Sequence, residues 1–528
     1  MAPDRFQEQL RFISESMGGT PLVGGPPGEI PFYAYEGGHI LCRAPEAHLV
    51  VDELNAAGAG RGGQVPLPAG QPTSSGLVRI PVAALGDTST PDGGVVNSLR
   101  ALENLEGRAG KAMAGKNHLV TITPGGVNSC PADEPEATTA AFHPALRDDP
   151  EEVAGDGQPP VTILVVDTGI VRDLHAQHPW MTGVAPAAGA ADEVAPRRER
   201  DPGPGITLRP GVDPDIDLVL KLRPDPGTVP PWLSDRRPGP THDAEGFVRE
   251  YVGHGTFIAG LIMAIAPHTR VRVSNKMIHA GCLLEEAFVD QLLDALKPGW
   301  PTIISLSAGA ANGRFTTLIG MERFMDALAA HPGTLLVAAA GNNGSDAPFW
   351  PAASAHYPSR NDGVVSVGAL RVDGEEGACF SDHGEWVRVY APGERLVGAF
   401  LGADVPQEYR YQHSTFERCR YLASFHDPFL YDCTCGFPAR VGHLSGGDPA
   451  DTAIFSGRAR WSGTSFSTPI VAAMIADHMR RTGEQDPRAA ARDLIEQEGT
   501  RATTRGVPVR ALRPPGWNPV AVRRHPVV

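Results

Sequence analysis

Several things are scarce in this 528-residue chain. Its opening, MAPDRFQEQLRFISESMGG, has no long apolar core, because Phe6, Leu10 and the pair Phe12-Ile13 are set apart by charged and polar residues. A secretory signal needs such a core, so the sequence predicts a cytoplasmic chain, with non-standard export left open. No run elsewhere approaches the roughly 20 apolar residues of a membrane span, and no membrane partner is expected. Cysteine is sparse, with seven residues in no framework spacing, which suits a reducing compartment better than a disulfide scaffold. Basic residues are outnumbered, and the net charge of −15 argues against a nucleic-acid partner.

What is present is punctuated by 61 glycines and 50 prolines, so turns and loops are plentiful. The length allows one large domain with appendages. Residues 1–123 read as a small α/β sandwich domain. GHILCRA (38–44), GLVRIPV (76–82) and NHLVTIT (117–123) read as strands, PEAHLVVDELNAAG (45–58) as a helix, and Val95, Leu99 and Leu102 mark a second helix. Residues 124–158 are acidic and Pro-rich and read as an exposed linker.

A unit over 159–485 opens with VTILVVDTGI (161–170), a continuous apolar run suited to a strand buried on both faces. VRVSNKMI (271–278), PTIISLSAG (301–309), TLLVAAAGN (334–342) and GVVSVGAL (363–370) read the same way. Helical patterns alternate with them: FIAGLIMAIA after His254, LEEAFVDQLLDAL (284–296) and LIGMERFMDALAA (318–330). That alternation predicts an α/β fold with a doubly wound parallel sheet, whose sites lie at the carboxyl ends of strands. Insertions are expected near 184–250 and 399–455, and a solvated C-terminal extension over 486–528.

Three segments carry the chemistry: VVDTGI around Asp167, GHGTFIAG around His254 and SGTSFSTP around Ser465. Amide hydrolysis near neutral pH needs an activated nucleophile, a base and donors for the developing oxyanion. Ser465 fits the nucleophile, at the start of a helical run, His254 the general base and acid, and Asp167 the group that orients the imidazole. The chain order Asp, His, Ser resembles that of the subtilisin-like serine proteases, the subtilase family.

The resemblance implies a serine endopeptidase acting on peptide or protein substrates. It implies that Asn342, in AAAGNNG, supplies an amide to the oxyanion hole beside the Ser465 N–H. Ser307, Ala308 and Gly309 would form one wall of the S1 pocket and an edge for the substrate backbone. Ala340 and Gly341, with Asn342, would form the opposite wall. FWPAA (349–353) resembles the segment that floors this pocket, where the bulky Phe349 stands in place of a small residue. Phe466 replaces the family's frequent Met after the nucleophile. Subtilases commonly carry an α/β prodomain where residues 1–123 lie, so the N-terminal domain is expected to act as an inhibitor, with a break between about 124 and 160. An unrelated accessory domain is the alternative there. A dedicated maturation enzyme, a partner-activated regulatory protease and an inactive fold used for binding remain alternative roles.

No cofactor is expected. Calcium is common in the family, yet no Asp-rich loop matches a ligand pattern. Cys419, Cys433 and Cys435 lie near His413, His426 and His443, but C-x-C is not the usual zinc spacing, and plain thiols are expected.

Overall fold

The computed structural model describes most of residues 13–520. The longest stretches outside it are 1–12, 25–32, 123–133, 148–159, 188–246 apart from 216–217, 411–451 and 521–528. Both predicted insertions fall largely in these stretches. Cys419, Cys433, Cys435, His413, His426 and His443 all lie outside the described residues.

The N-terminal domain carries strands β1 (Leu22–Gly24) and β2 (Ala34–Arg43), helix α1 (Ala47–Gly58), strand β3 (Leu77–Pro81), helix α2 (Gly93–Ala109) and strand β4 (Ala114–Thr121). β2 is the hub, pairing antiparallel with β1, β3 and β4. One face of the sheet is covered by the two helices, whose Val50, Leu54, Val95 and Leu102 meet Ile40 and Ile80 in a core of their own. Within each helix those residues lie four and seven positions apart, the spacing of one helix face.

The linker prediction fails for its middle part. Glu136–Ala137, here β5, pairs antiparallel with a strand of the larger unit, and His143 and Val397 exchange backbone hydrogen bonds. Glu134 and Pro135 are buried, and Arg147 reaches Asp477. A two-residue pairing leaves no periodic pattern for sequence reading to detect.

The larger unit is built on β6 (Thr162–Val166), β7 (Val184–Pro186), α3 (His254–Ile265), β8 (Arg270–Ser274), β9 (Cys282–Leu284), α4 (Glu285–Leu296), β10 (Ile303–Leu306), α5 (Ile319–Ala329), β11 (Leu335–Ala339), β12 (Val364–Leu370), β13 (Val389–Pro392), β14 (Leu396–Ala399), β15 (Arg458–Trp461), α6 (Thr464–Thr482), β16 (Thr500–Thr504) and β17 (Val507–Ala511). Nine of the strands form one sheet in the order β16-β17-β13-β12-β11-β10-β6-β8-β7. From β13 to β7 every pairing is parallel. Its central members are buried along their whole length, which is why they read as continuous apolar runs rather than alternating ones. The α/β, doubly wound expectation holds.

The unit does not end at 485. β16 and β17 form an antiparallel hairpin that docks on β13 as the edge of the main sheet, and Trp517 beyond it is buried. The predicted solvated extension is therefore structural at least as far as Trp517. Its signal is obscured because the hairpin buries few side chains and carries Arg and Pro on its exposed face.

The two domains share a sheet. β9 of the larger unit pairs antiparallel with β4, so the N-terminal sheet continues into its neighbour. Behind this seam Leu41 and Leu77 pack on Ile319 of α5.

Candidate active site

Asp167 follows directly on β6, at the carboxyl end of a central strand. His254 opens α3. Gly255 lets the two elements meet, since a Cβ there would lie 2.2 Å from the carbonyl oxygen of Gly169. The result is a fully buried pair in which His254 Nδ1 stands 2.9 Å from both carboxylate oxygens of Asp167. Asp167 Oδ1 is further fixed by the N–H of Thr168 at 2.8 Å. A carboxylate can only accept, so Nδ1 carries the proton and Nε2 presents its lone pair. Nε2 is buried and has no hydrogen-bond partner among the described residues. Trp461 and Phe466 press on the ring, with centroids 5.1 Å away in each case.

Ser465 is the second residue of α6. Its neighbour four residues on is Pro469, which has no N–H to give to the Ser465 carbonyl as a helix would require. Ser307, just after β10, donates its hydroxyl to that carbonyl at 2.8 Å instead. The Ser465 hydroxyl donates to the carbonyl of Ile122 at 3.3 Å, with the Ser307 carbonyl at 3.5 Å. Ile122 is the residue after β4, so the end of the N-terminal domain lies on Ser465.

Asn342 follows β11. Its side-chain oxygen accepts from Thr464 twice, from the N–H at 2.9 Å and from the hydroxyl at 2.8 Å. A backbone N–H must meet an oxygen, so the amide orientation is fixed and Nδ2 remains free to donate. Gly341 beside it has φ of +105°, and a Cβ there would lie 2.3 Å from Asp382 Oδ2. Asp382 is buried and braces the loop, accepting from Asn343 Nδ2 and from the N–H of Ser345, each at 2.9 Å. Sequence reading missed Thr464, Asp382 and Ile122 as members of this site. Thr464 and Ile122 lay inside quoted motifs, whereas Asp382 had no local signal.

The expected walls of S1 face each other across Phe349. A Cβ on Gly309 would lie 2.4 Å from Phe349 Cε1, and one on Gly341 would lie 3.0 Å from its Cγ. The ring therefore fills the space between Gly309 and Gly341 and is itself buried.

At the domain seam, Glu285 at the start of α4 accepts from the N–H of Gly320 in α5 and meets His118 Nδ1 of β4 at 3.1 Å. Nearby, Arg79 serves two carboxylates, Glu36 and Glu286. Burial alone would raise the Glu36 carboxyl, yet hydrogen bonds from His39, Arg79 and Asn117 hold it below the ordinary glutamate range. Burial pushes Glu286 up to about 7, partly offset by Arg79 and reinforced by Glu36 and Asp290. Among the described residues no group of three or more His, Cys, Asp or Glu side chains is placed to hold a metal ion. Cys42, Cys282 and Cys379 are buried.

The chain is similar in part to several known proteins. A thermophilic serine proteinase of Bacillus sp. (strain AK1) is 32% identical over 159 residues, which is 28% of this chain and 36% of that protein. A thermostable alkaline protease of Halalkalibacterium halodurans is 30% identical over 158 residues, 28% of this chain and 40% of that protein. The chain thus spans well under half the length of these curated relatives. Among solved structures, fervidolysin from Fervidobacterium pennivorans, described as a keratinolytic enzyme related to subtilisin, aligns with a TM-score of 0.42 at 18% identity, covering 88% of this chain and 58% of that one. The family model described as "Subtilase family" matches residues 159–510, which is most of the chain and includes the hairpin of β16 and β17. The chain belongs to the subtilase family.

Proposed function

We propose that this subtilase is a serine endopeptidase with Ser465 as nucleophile, His254 as general base and acid, and Asp167 as the group that orients the imidazole. In the first step Ser465 Oγ attacks the substrate carbonyl carbon while His254 Nε2 takes its proton. Asp167 stabilises the imidazolium that forms and stays ionised itself. The carbonyl oxygen becomes an oxyanion, to which Asn342 Nδ2 and the Ser465 N–H donate. His254 then returns the proton to the leaving amine, and water repeats the sequence on the acyl-enzyme. The α6 N-terminus at Ser465 favours the negative charge that develops there.

The observations that carry the reading are the approach of Ser465 Oγ to the Ile122 carbonyl, 3.3 Å, and a His254–Asp167 pair whose Nε2 has no partner among the described residues. It supports a role for residues 1–123 as a restraint that occupies the cleft like a substrate. A tethered segment has a high effective concentration there. The first cut then falls at one of the two peptide bonds following Ile122, at or just before the start of the range expected from sequence. The ring of Phe349 shortens S1, so small residues are preferred in that pocket.

The test is covalent labelling. Wild-type protein should react with a serine-directed fluorophosphonate, and Ser465→Ala should not. His254→Ala should label as poorly, because these groups act as a unit. Strong labelling of Ser465→Ala would remove this nucleophile from the account.

A further inference from the structure

Asn342, the proposed oxyanion donor, is held by two separate parts of the chain. Thr464 fixes its side-chain oxygen, and Thr464 Oγ1 also accepts from the Gly341 N–H at 3.2 Å. The backbone before and after Asn342 is fixed by residues 380–383, between β12 and β13. The Asp382 N–H donates to the Gly341 carbonyl at 2.9 Å. The Gly344 N–H donates to the Phe380 carbonyl at 2.7 Å, and the His383 N–H to the Ser345 carbonyl at 2.9 Å. The Asp382 carboxylate adds two more bonds, accepting from the Ser345 N–H on Oδ1 and from Asn343 Nδ2 on Oδ2.

The three main-chain bonds would form with almost any residue at 382. The two on the carboxylate would not, because a side-chain amide offers one acceptor oxygen and turns its NH2 group toward a donor. Asp382 is 0% exposed, so a donor that loses it is left unpaired inside the protein. Gly341 is shaped to the same carboxylate. Its φ of +105° suits glycine, and a Cβ there would collide with Asp382 Oδ2. The carboxylate thus stands against the residue before Asn342 and bonds the first and third residues after it.

We infer that Asp382 is a positioning residue for the oxyanion hole, holding the backbone on both sides of Asn342 so that Nδ2 meets the charge as it develops. The inference rests on the protease reading and adds a residue to its machinery. An oxyanion donor acts within about 2.7–3.1 Å of that charge. A misplacement of about 1 Å can cost about a hundredfold in rate. By charge alone, exchanging the carboxylate for an amide would favour a nearby oxyanion, so positioning and charge predict opposite signs.

The experiment is a double-mutant cycle on Asp382→Asn and Asn342→Ala in the full chain after its own processing. The kcat and KM for one peptide substrate are expressed per fluorophosphonate-labelled site. Asp382→Asn should lower kcat about tenfold with little change in KM, a smaller loss than removal of the Asn342 amide itself. In the Asn342→Ala background the same change should lower kcat less than about twofold, because the two residues act as one unit. An equal fall in both backgrounds would overturn the inference. So would a rise in kcat, or a raised KM with kcat intact. Asn343→Ala removes only the bond to Oδ2, and it decides the question if Asp382→Asn fails to fold. Its fall in kcat, about threefold, should vanish without the Asn342 amide, and equal falls would again overturn the inference. Absence of both labelling and turnover in the wild type would instead overturn the protease reading beneath it.

Discussion

The hydroxyl of Ser307 donates to the carbonyl of Ser465 at 2.8 Å, making the hydrogen bond that Pro469 cannot make within the helix. One side chain after β10 thus completes the first turn of the helix that carries the proposed nucleophile. Pro469 frees the Ser465 carbonyl, and Ser307 holds it in place. The bond ties a proposed wall of the substrate cleft to the proposed nucleophile.

Ser307→Ala should leave that buried carbonyl without a partner, at a cost of about 1–3 kcal/mol. Denaturant unfolding of Ser307→Ala in the Ser465→Ala background, where self-digestion is absent, measures this directly. An unchanged midpoint would show that the carbonyl finds another donor.

Asn342→Ala should lower kcat by about 10²–10³ with little change in KM, the size of effect known for the corresponding donor in subtilisin. Thr464→Ser keeps both hydrogen bonds to the Asn342 oxygen and should leave kcat close to wild type. Steady-state kinetics on one peptide substrate distinguish the variants. A large KM change with intact kcat for Asn342→Ala would mean that the amide acts on the bound substrate rather than on the oxyanion.

The domain seam should respond to pH. Glu286 is raised by burial to about 7 in the joined state, against its ordinary value of 4.5. Its protonated form therefore favours the joined state. That contribution is complete below about pH 4.5, declines above it and is gone once pH has risen through about 7. Glu36, held low by its hydrogen bonds, works oppositely and costs stability only in acid, as pH falls through its lowered value. Thermal unfolding of Ser465→Ala should show the seam weakening between about pH 4.5 and 7, and Glu286→Gln should flatten that dependence. An identical pH profile in Glu286→Gln would exclude this residue as the cause.

Much of the site was legible because its parts are local. Asp167, His254, Ser465 and Asn342 each sit where a strand or helix meets a glycine-rich turn, and such turns leave a mark in sequence. The buried strands were legible for a related reason, since a strand covered on both faces must be apolar throughout. What escaped detection depends on partners distant in the chain. Asp382 braces the Asn342 loop from 40 residues away, and β5 is held by two pairings to β15. The hairpin of β16 and β17 resembled a solvated tail because its outward face is charged and its inward face is narrow. Phe349 was legible as bulky, but only the approach of Gly309 and Gly341 defines the space that its ring fills.

The most direct measurement is the intact mass and N-terminal sequence of purified wild-type protein beside Ser465→Ala. The account predicts two wild-type fragments that stay associated, the larger beginning at Thr123 or Pro124, while Ser465→Ala remains a single chain of 55.9 kDa. The same break in Ser465→Ala, or a full-length wild type as active as a form lacking residues 1–123, would contradict it.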